Sequence, residues 1–237
     1  VVAEGGRETT RRARLLVERG ALEFPGVFEE PLVPMDRLSA DLSWSGKDDQ
    51  WKLNIANLRF ANADMQGQAQ GQWRTADAAT SPARSRFPGI LDLSGELVRA
   101  DGARVYRYLP QVIARSARDY LREAVPRAQV TQARFRVRGD IYDLPFADAR
   151  QGEFSVQARV ANATYAYVPR SVQGAGVKPW PAFTQLSADL VIDRQSLQIK
   201  GARGRVAGQP TLQLMRADAR IADLAHAVVD DAGTLRE

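Results

Sequence analysis

The side chains that could carry out a reaction are few, and they are badly spaced for it. His226 is the only histidine and cysteine is absent, so no two-histidine metal site, thiolate metal site or disulfide can form. A Ser–His–Asp triad would have to draw on His226, in the polar tail of the chain. No Walker A run occurs. Gly201, Gly204 and Gly208 are spaced wrongly for a dinucleotide loop and stand in a strand pattern, where glycine marks a bulge or close packing. Two carboxylates recur, Asp41 and Asp189, inside the identical segments Leu38-Ser39-Ala40-Asp41-Leu42 and Leu186-Ser187-Ala188-Asp189-Leu190. Paired carboxylates on a β scaffold are glycosidase chemistry, but alternation puts both on the polar side of their strands, where solvated residues belong. Arg134, Arg136 and Arg138 could follow a phosphate backbone. A stacking aromatic would have to share their side, and Phe135 points to the other. The expectation is a non-enzymatic chain with no metal, no cofactor and no nucleic-acid partner.

The elements that carry these residues are overwhelmingly strands. Leu38, Ala40, Leu42 and Trp44 alternate with Ser39, Asp41, Ser43 and Ser45. Trp51, Leu53 and Ile55 share a side in the next run. The phase then breaks at 54–57, which predicts a β-bulge, and resumes at Leu58 and Phe60. Ala63, Met65, Gly67, Ala69, Gly71 and Trp73 alternate with Asp64 and four glutamines. Leu91, Leu93, Gly95 and Leu97 mark a further strand. Another holds Ala133, Phe135, Val137 and Ile141, and a third Phe154, Val156, Ala158 and Val160. Late strands are predicted over 184–193, with Leu186, Leu190 and Ile192 on one side, and over 196–206 and 211–221. Stretches 75–88 and 169–181, the latter holding Gly174, read as loops.

One segment has helical spacing. Over 111–124 the apolar positions are Val112, Ile113, Ala117, Tyr120, Leu121 and Ala124, with Arg115, Arg118, Asp119 and Arg122 opposite and Pro110 and Pro126 as punctuation. The organisation read from this is a first β unit over 1–100, a helical connector over 101–127 and a second β unit over 128–237. The repeated segment fits an array of modules, which offers an extended surface and not a single reaction centre.

The chain has 237 residues, 44% apolar and 26% charged, with a formal net charge of +5. That is the composition of a folded chain whose positive balance favours anionic partners. No apolar run is long enough to cross a bilayer as a helix. The start at Val1, without an initiating Met, reads as a cut through a longer protein. The small residues in mid-strand leave two readings open. One is a packed two-sheet sandwich in which Gly and Ala allow close approach. The other is a strongly curved sheet whose large residues stand over an apolar trough.

The centre of the chain holds an ordered series: Tyr106-Arg107-Tyr108-Leu109-Pro110, Tyr120-Leu121, Ala124, 133–139 ending in Gly139, Asp143-Leu144-Pro145-Phe146, Gly152-Glu153-Phe154, and Trp180-Pro181 before Leu186. In that order the motifs resemble the YhdP family of AsmA-like bacterial envelope proteins, over about residues 38–205. The resemblance implies a repeating β-groove of the bridge-like lipid transfer kind, periplasmic and involved in outer-membrane biogenesis. It also implies anchoring to the inner membrane through a segment absent from this chain, and a groove that takes phospholipid acyl chains.

The expected architecture is therefore mainly β. Long antiparallel strands form a curved, taco-like sheet with an apolar inner face, and one amphipathic helix closes or caps part of it. The residues expected to line the groove are Leu38, Leu42, Trp44, Trp51, Leu53, Ile55, Met65, Trp73, Leu91, Leu93, Phe135, Val137, Phe154, Val156, Leu186, Leu190 and Ile192. The expected function is conduction of phospholipid between inner and outer membranes. The alternative is an envelope scaffold that binds protein partners through its sheet edges.

Overall fold

Alternation becomes strand along most of the chain in the computed structural model, which describes residues 10–111, 113–173, 176, 178–224, 228–229 and 235–236. The strands are β1 Arg11–Glu23, β2 Leu32–Lys47, β3 Gln50–Ala61, β4 Met65–Arg74, β5 Ile90–Asp101, β6 Arg127–Asp140, β7 Gly152–Tyr165, β8 Phe183–Asp193, β9 Ser196–Val206 and β10 Gln209–Ile221. They form one ten-stranded sheet in sequence order, each strand antiparallel to the next, and the sheet does not close. Two short strands, Val228–Val229 (β11) and Leu235–Arg236 (β12), pair apart from it. Of the ten strands of this sheet, five precede the connector and five follow it.

The sandwich reading is not what forms. The strands make one sheet instead of two, and among the described residues the largest fully buried side chains are Phe146 and Thr75. A compact protein of 26.1 kDa exposes about 10,600 Å², whereas this chain exposes 15327 Å². The excess is the signature of a sheet with no second layer packed across it. The edges of β1 and β10 are likewise without a strand neighbour among the described residues.

Bulges bend the strands. The register slips between Ile55 and Leu58, where Asn57 sits at φ 52, and between Val160 and Ala163, where Asn162 sits at φ 51. Both asparagines tie the bulge to a neighbouring strand. Asn57 Nδ2 donates to Asp41 at 2.8 Å and Asn162 Nδ2 to Gln129 Oε1 at 2.9 Å. Each bulge adds bend and right-handed twist. Together they curve the sheet, and the break expected at 54–57 is the first of them.

The helix is shorter than expected. The chain leaves β5 through a 3-10 helix, Gly102–Tyr108, started by Asp101, whose carboxylate accepts from Ala103 N at 3.0 Å. The α-helix, α1, then covers only Arg115–Ala124. Val112 lies outside the described residues, as do Gly174 and His226. Ala63 belongs to the β3–β4 turn and not to a strand.

The connector joins a set of contacts along one end of the strands. Gln111 donates from its backbone to Val27 O at 2.9 Å and from its side chain to Phe28 O at 2.8 Å. Tyr108 meets Phe28 edge-on at 6.3 Å and donates to Asp64 at 2.8 Å. The β1–β2 loop thus reaches the β5–β6 connector past the β3–β4 turn. Farther along, Ala166 N donates to Ala124 O at 2.8 Å, and the hydroxyls of Tyr120 and Tyr165 lie 2.8 Å apart. This end of the sheet is a braced rim.

Candidate functional site

The registers decide which side chains share a surface. Residues directly opposite in antiparallel strands point to the same face. Following the pairs from strand to strand gives a row that crosses the whole sheet: Val17, Leu38, Phe60, Gly67, Leu97, Ala133, Ala158, Leu190, Ile199 and Ala219. A second row runs from β3 to β10 through Leu58, Ala69, Gly95, Phe135, Val156, Ile192, Leu197 and Ile221. A third passes through Ala13, Leu42, Ile55, Gly71, Leu93, Val137 and Phe154. Trp44, Leu53, Trp73 and Leu91 form the next, and Trp51 stands beyond it opposite Gly46. Met65 pairs with Ala100, and Leu186 with Ala163.

All seventeen residues expected to line a groove therefore fall on one face. Most are half-buried; Leu38 is buried and Trp51 is 41% exposed. With no second layer opposite, what covers them is chiefly their own neighbours. Val17, Phe60, Leu97 and Ile199 belong to the same face. Their alternation was visible in the sequence, but their place in a row needs the register.

The glycines of this face do not open space beneath the large residues. A Cβ on Gly95 would lie 2.6 Å from the Phe135 ring and 2.5 Å from Gln68 O. On Gly67 it would lie 2.8 Å from Phe60, and on Gly46 2.6 Å from the Trp51 ring. The rings lie down over the glycines of the adjacent strand. The space above Gly46, Gly67 and Gly95 is thus filled by the rings of neighbouring strands.

The opposite face is polar and paired. Arg136 bridges Asp92 and Glu153, both at 3.1 Å. Arg159 meets Asp189 at 3.3 Å and Arg14 meets Asp41 at 2.9 Å. The hydrogen bonds from Asn57 and Arg14 hold the Asp41 carboxyl below the usual carboxylate range. Both repeated aspartates are thus engaged on the wet side, on β2 and β8. A concavity of ≈ 630 Å³ on this face is lined by Glu96, Arg134, Gln157, Arg159, Asp189 and Lys200 among others. Its charged walls suit water, not acyl chains.

At the braced rim α1 stands on the apolar side. Tyr120 reaches Tyr165, which follows Ala163 along β7, and it donates to Tyr167 O at 3.1 Å. Burial, followed by the Tyr165 hydrogen bond, raises the pKa of Tyr120. Burial and the bond to Asp64 push Tyr108 up to about 12. Arg118, expected opposite the apolar positions of the helix, is instead only 7% exposed, with Glu29 of the β1–β2 loop 3.7 Å away. At the other end of the strands Trp73 stacks on Phe87 at 6.0 Å, and Phe87 is 60% exposed.

Among the described residues no cluster of His, Asp or Glu could hold a metal, and no helix is long and apolar enough to cross a membrane. The fold and its surfaces define a single-layer antiparallel β-sheet with one face of continuous apolar rows and one of paired charges. The family model described as YhdP protein matches residues 5–233, and the chain belongs to that family. Membership associates it with the bacterial envelope. No curated protein and no solved structure matches the chain.

Proposed function

We propose that this chain is a section of a hydrophobic groove that conducts phospholipid through the periplasm between the inner and outer membranes, without catalysing a reaction. The observation that carries the reading is the row from Val17 to Ala219, which crosses all ten strands on one face with no second layer over it. On this reading that face is the inner one. An acyl chain laid on such a wall sheds water on one side. At about 0.8 kcal/mol per fully buried methylene, ten methylenes half-covered gain about 4 kcal/mol. That gain is spread along the wall with no single deep well, as sliding requires. The headgroup stays at the wet rim. Anchoring to the inner membrane would come from a segment outside this chain.

Lipid mass spectrometry on the gently purified chain tests this. Phospholipid should copurify near stoichiometrically and exchange into added vesicles. A folded chain that carries none, and takes none from vesicles, rules the reading out. The free edges of β1 and β10 favour a second role, strand addition to envelope protein partners. Polypeptide in place of lipid in the same preparation would support it.

A further inference from the structure

The side chain of Arg118 is 8% exposed. Its Nε and Nη1 are buried and have no hydrogen-bond partner among the described residues. The nearest carboxylate oxygen, Glu29 Oε2, stands 3.7 Å from Nη1, too far for a hydrogen bond. The same oxygen is 3.9 Å from Arg122 Nη2, and the Arg122 guanidinium lies 4.5 Å above the Tyr106 ring. Arg118 and Arg122 are four residues apart on α1 and so share a side of the helix. Two guanidinium groups thus approach one oxygen that bonds neither, and Arg122 Nη1 also has Asp119 Oδ1 at 3.5 Å.

Two buried N–H donors of Arg118 are thus left without an acceptor among the described residues. Buried N–H donors are rarely left without an acceptor. Guanidinium forks are matched best by groups that offer two or more oxygens, carboxylate or phosphate. Glu29 offers one oxygen from the edge of its reach. Its side chain is 37% exposed, so it can turn into water while Gln111 holds the backbone of the loop at Val27 and Phe28. The position also matters. Two residues from Tyr120, which reaches Tyr165, the two arginines leave the other side of α1 and face Glu29 of the β1–β2 loop and the Tyr106 ring, on the same rim.

We propose that Arg118 and Arg122 form a phosphate site at the rim, which the phosphate of a phospholipid headgroup enters by displacing the Glu29 carboxylate. The site rests on the reading of the apolar face as an acyl wall. It adds to that reading a place where the headgroup is recognised.

The test uses the 237-residue chain with three probes: a short-chain phosphatidylglycerol, the diacylglycerol of the same acyl length, and inorganic phosphate. The phospholipid should bind about tenfold tighter than the diacylglycerol, the size expected of charge-assisted hydrogen bonds. Arg118→Gln should abolish that preference and leave diacylglycerol binding unchanged. Arg118→Met, which keeps the packed stem, should do the same. Glu29→Gln, which removes the competitor, should tighten phospholipid binding. These opposite signs separate the site from a structural ion pair, whose two removals would act alike. Equal effects of the two changes, or a preference that survives loss of Arg118, overturn the proposal and leave the acyl wall standing. Inorganic phosphate binding as tightly as the lipid overturns the headgroup assignment in favour of a free-anion site. If neither lipid binds the wild-type chain, the wall itself has failed. Displacement of the Arg118 Nε–H resonance by inorganic phosphate then still reads the anion site by itself, and an unmoved resonance overturns it.

Discussion

Val156 and Gln157 are adjacent on β7 and face opposite ways. Val156 is half-buried between Phe135 and Ile192 on the apolar face. Gln157 is exposed between Arg134 and Val191 on the polar one. Replacing each with Asp adds the same charge one residue apart. For Val156→Asp, half of the 1.5–3 kcal/mol for burying a valine is lost, about 1 kcal/mol. The poor strand propensity of Asp adds up to about 1 kcal/mol more. At about 2–4 °C per kcal/mol for a chain of this size, Tm should fall by roughly 2–8 °C. Lipid suffers separately. A polar group held under an acyl chain without a hydrogen bond costs about 1–3 kcal/mol, a five- to hundredfold loss of occupancy. Gln157→Asp bears the same strand-propensity cost but gains a cross-strand opposite charge in Arg134 worth about 0.2–1 kcal/mol, so its stability should change by less than about 1 kcal/mol. Thermal unfolding and lipid mass spectrometry on the two variants read both quantities. Equal loss of lipid from both would refute the two-faced account, since only one charge stands on the proposed wall.

Gly95→Val should lower stability by about 1–3 kcal/mol, because its Cβ meets Gln68 O at 2.5 Å and the Phe135 ring at 2.6 Å; denaturant midpoints measure it. Phe146→Ala should cost about 3–5 kcal/mol, since Phe146 is fully buried and its ring lies over Gly139 and Gly152; a loss under 1 kcal/mol in the same assay would contradict its role as the core of that turn. Tyr108 carries a pKa raised from 10.0 to about 12. Its contribution to stability is therefore complete below pH 10 and is lost as pH rises from 10 through 12. Ultraviolet titration should show Tyr108 ionising late, and Asp64→Asn should bring it earlier.

Much of the wall could be read from alternation. Every residue expected on the lining does share one face, because alternation fixes which residues of a strand go together and the register that forms aligns the apolar sets from strand to strand. The repeated Leu-Ser-Ala-Asp-Leu is instructive here. Its leucines are on the apolar face and its aspartates on the polar one in both copies, as alternation requires. Yet Leu38, the first leucine of one copy, shares a row with Leu190, the last leucine of the other. The identity thus marks the same wall pattern, not an equivalent position. The registers depended on bulges at Asn57 and Asn162, which phase breaks at 54–57 and between Val160 and Ala163 announce without giving the pairing. The laid-down rings over Gly67 and Gly95 depended on those registers in turn. β1 escaped notice although Ala13, Leu15 and Val17 alternate, since arginines crowd around them. Arg118 was misassigned because helical spacing says nothing about what other parts of the chain, such as Glu29 some ninety residues earlier, come against the helix.

The central claim is that acyl chains lie on the apolar face. A photo-reactive residue placed at Phe135 or Trp44, and in a parallel chain at Arg136, compares the two faces directly at neighbouring positions. In vesicle-exposed or membrane-derived chain, phospholipid should crosslink from positions 135 and 44 and not from 136. A folded sheet that gives no lipid adduct at either apolar position, or gives as much from 136, would contradict the account.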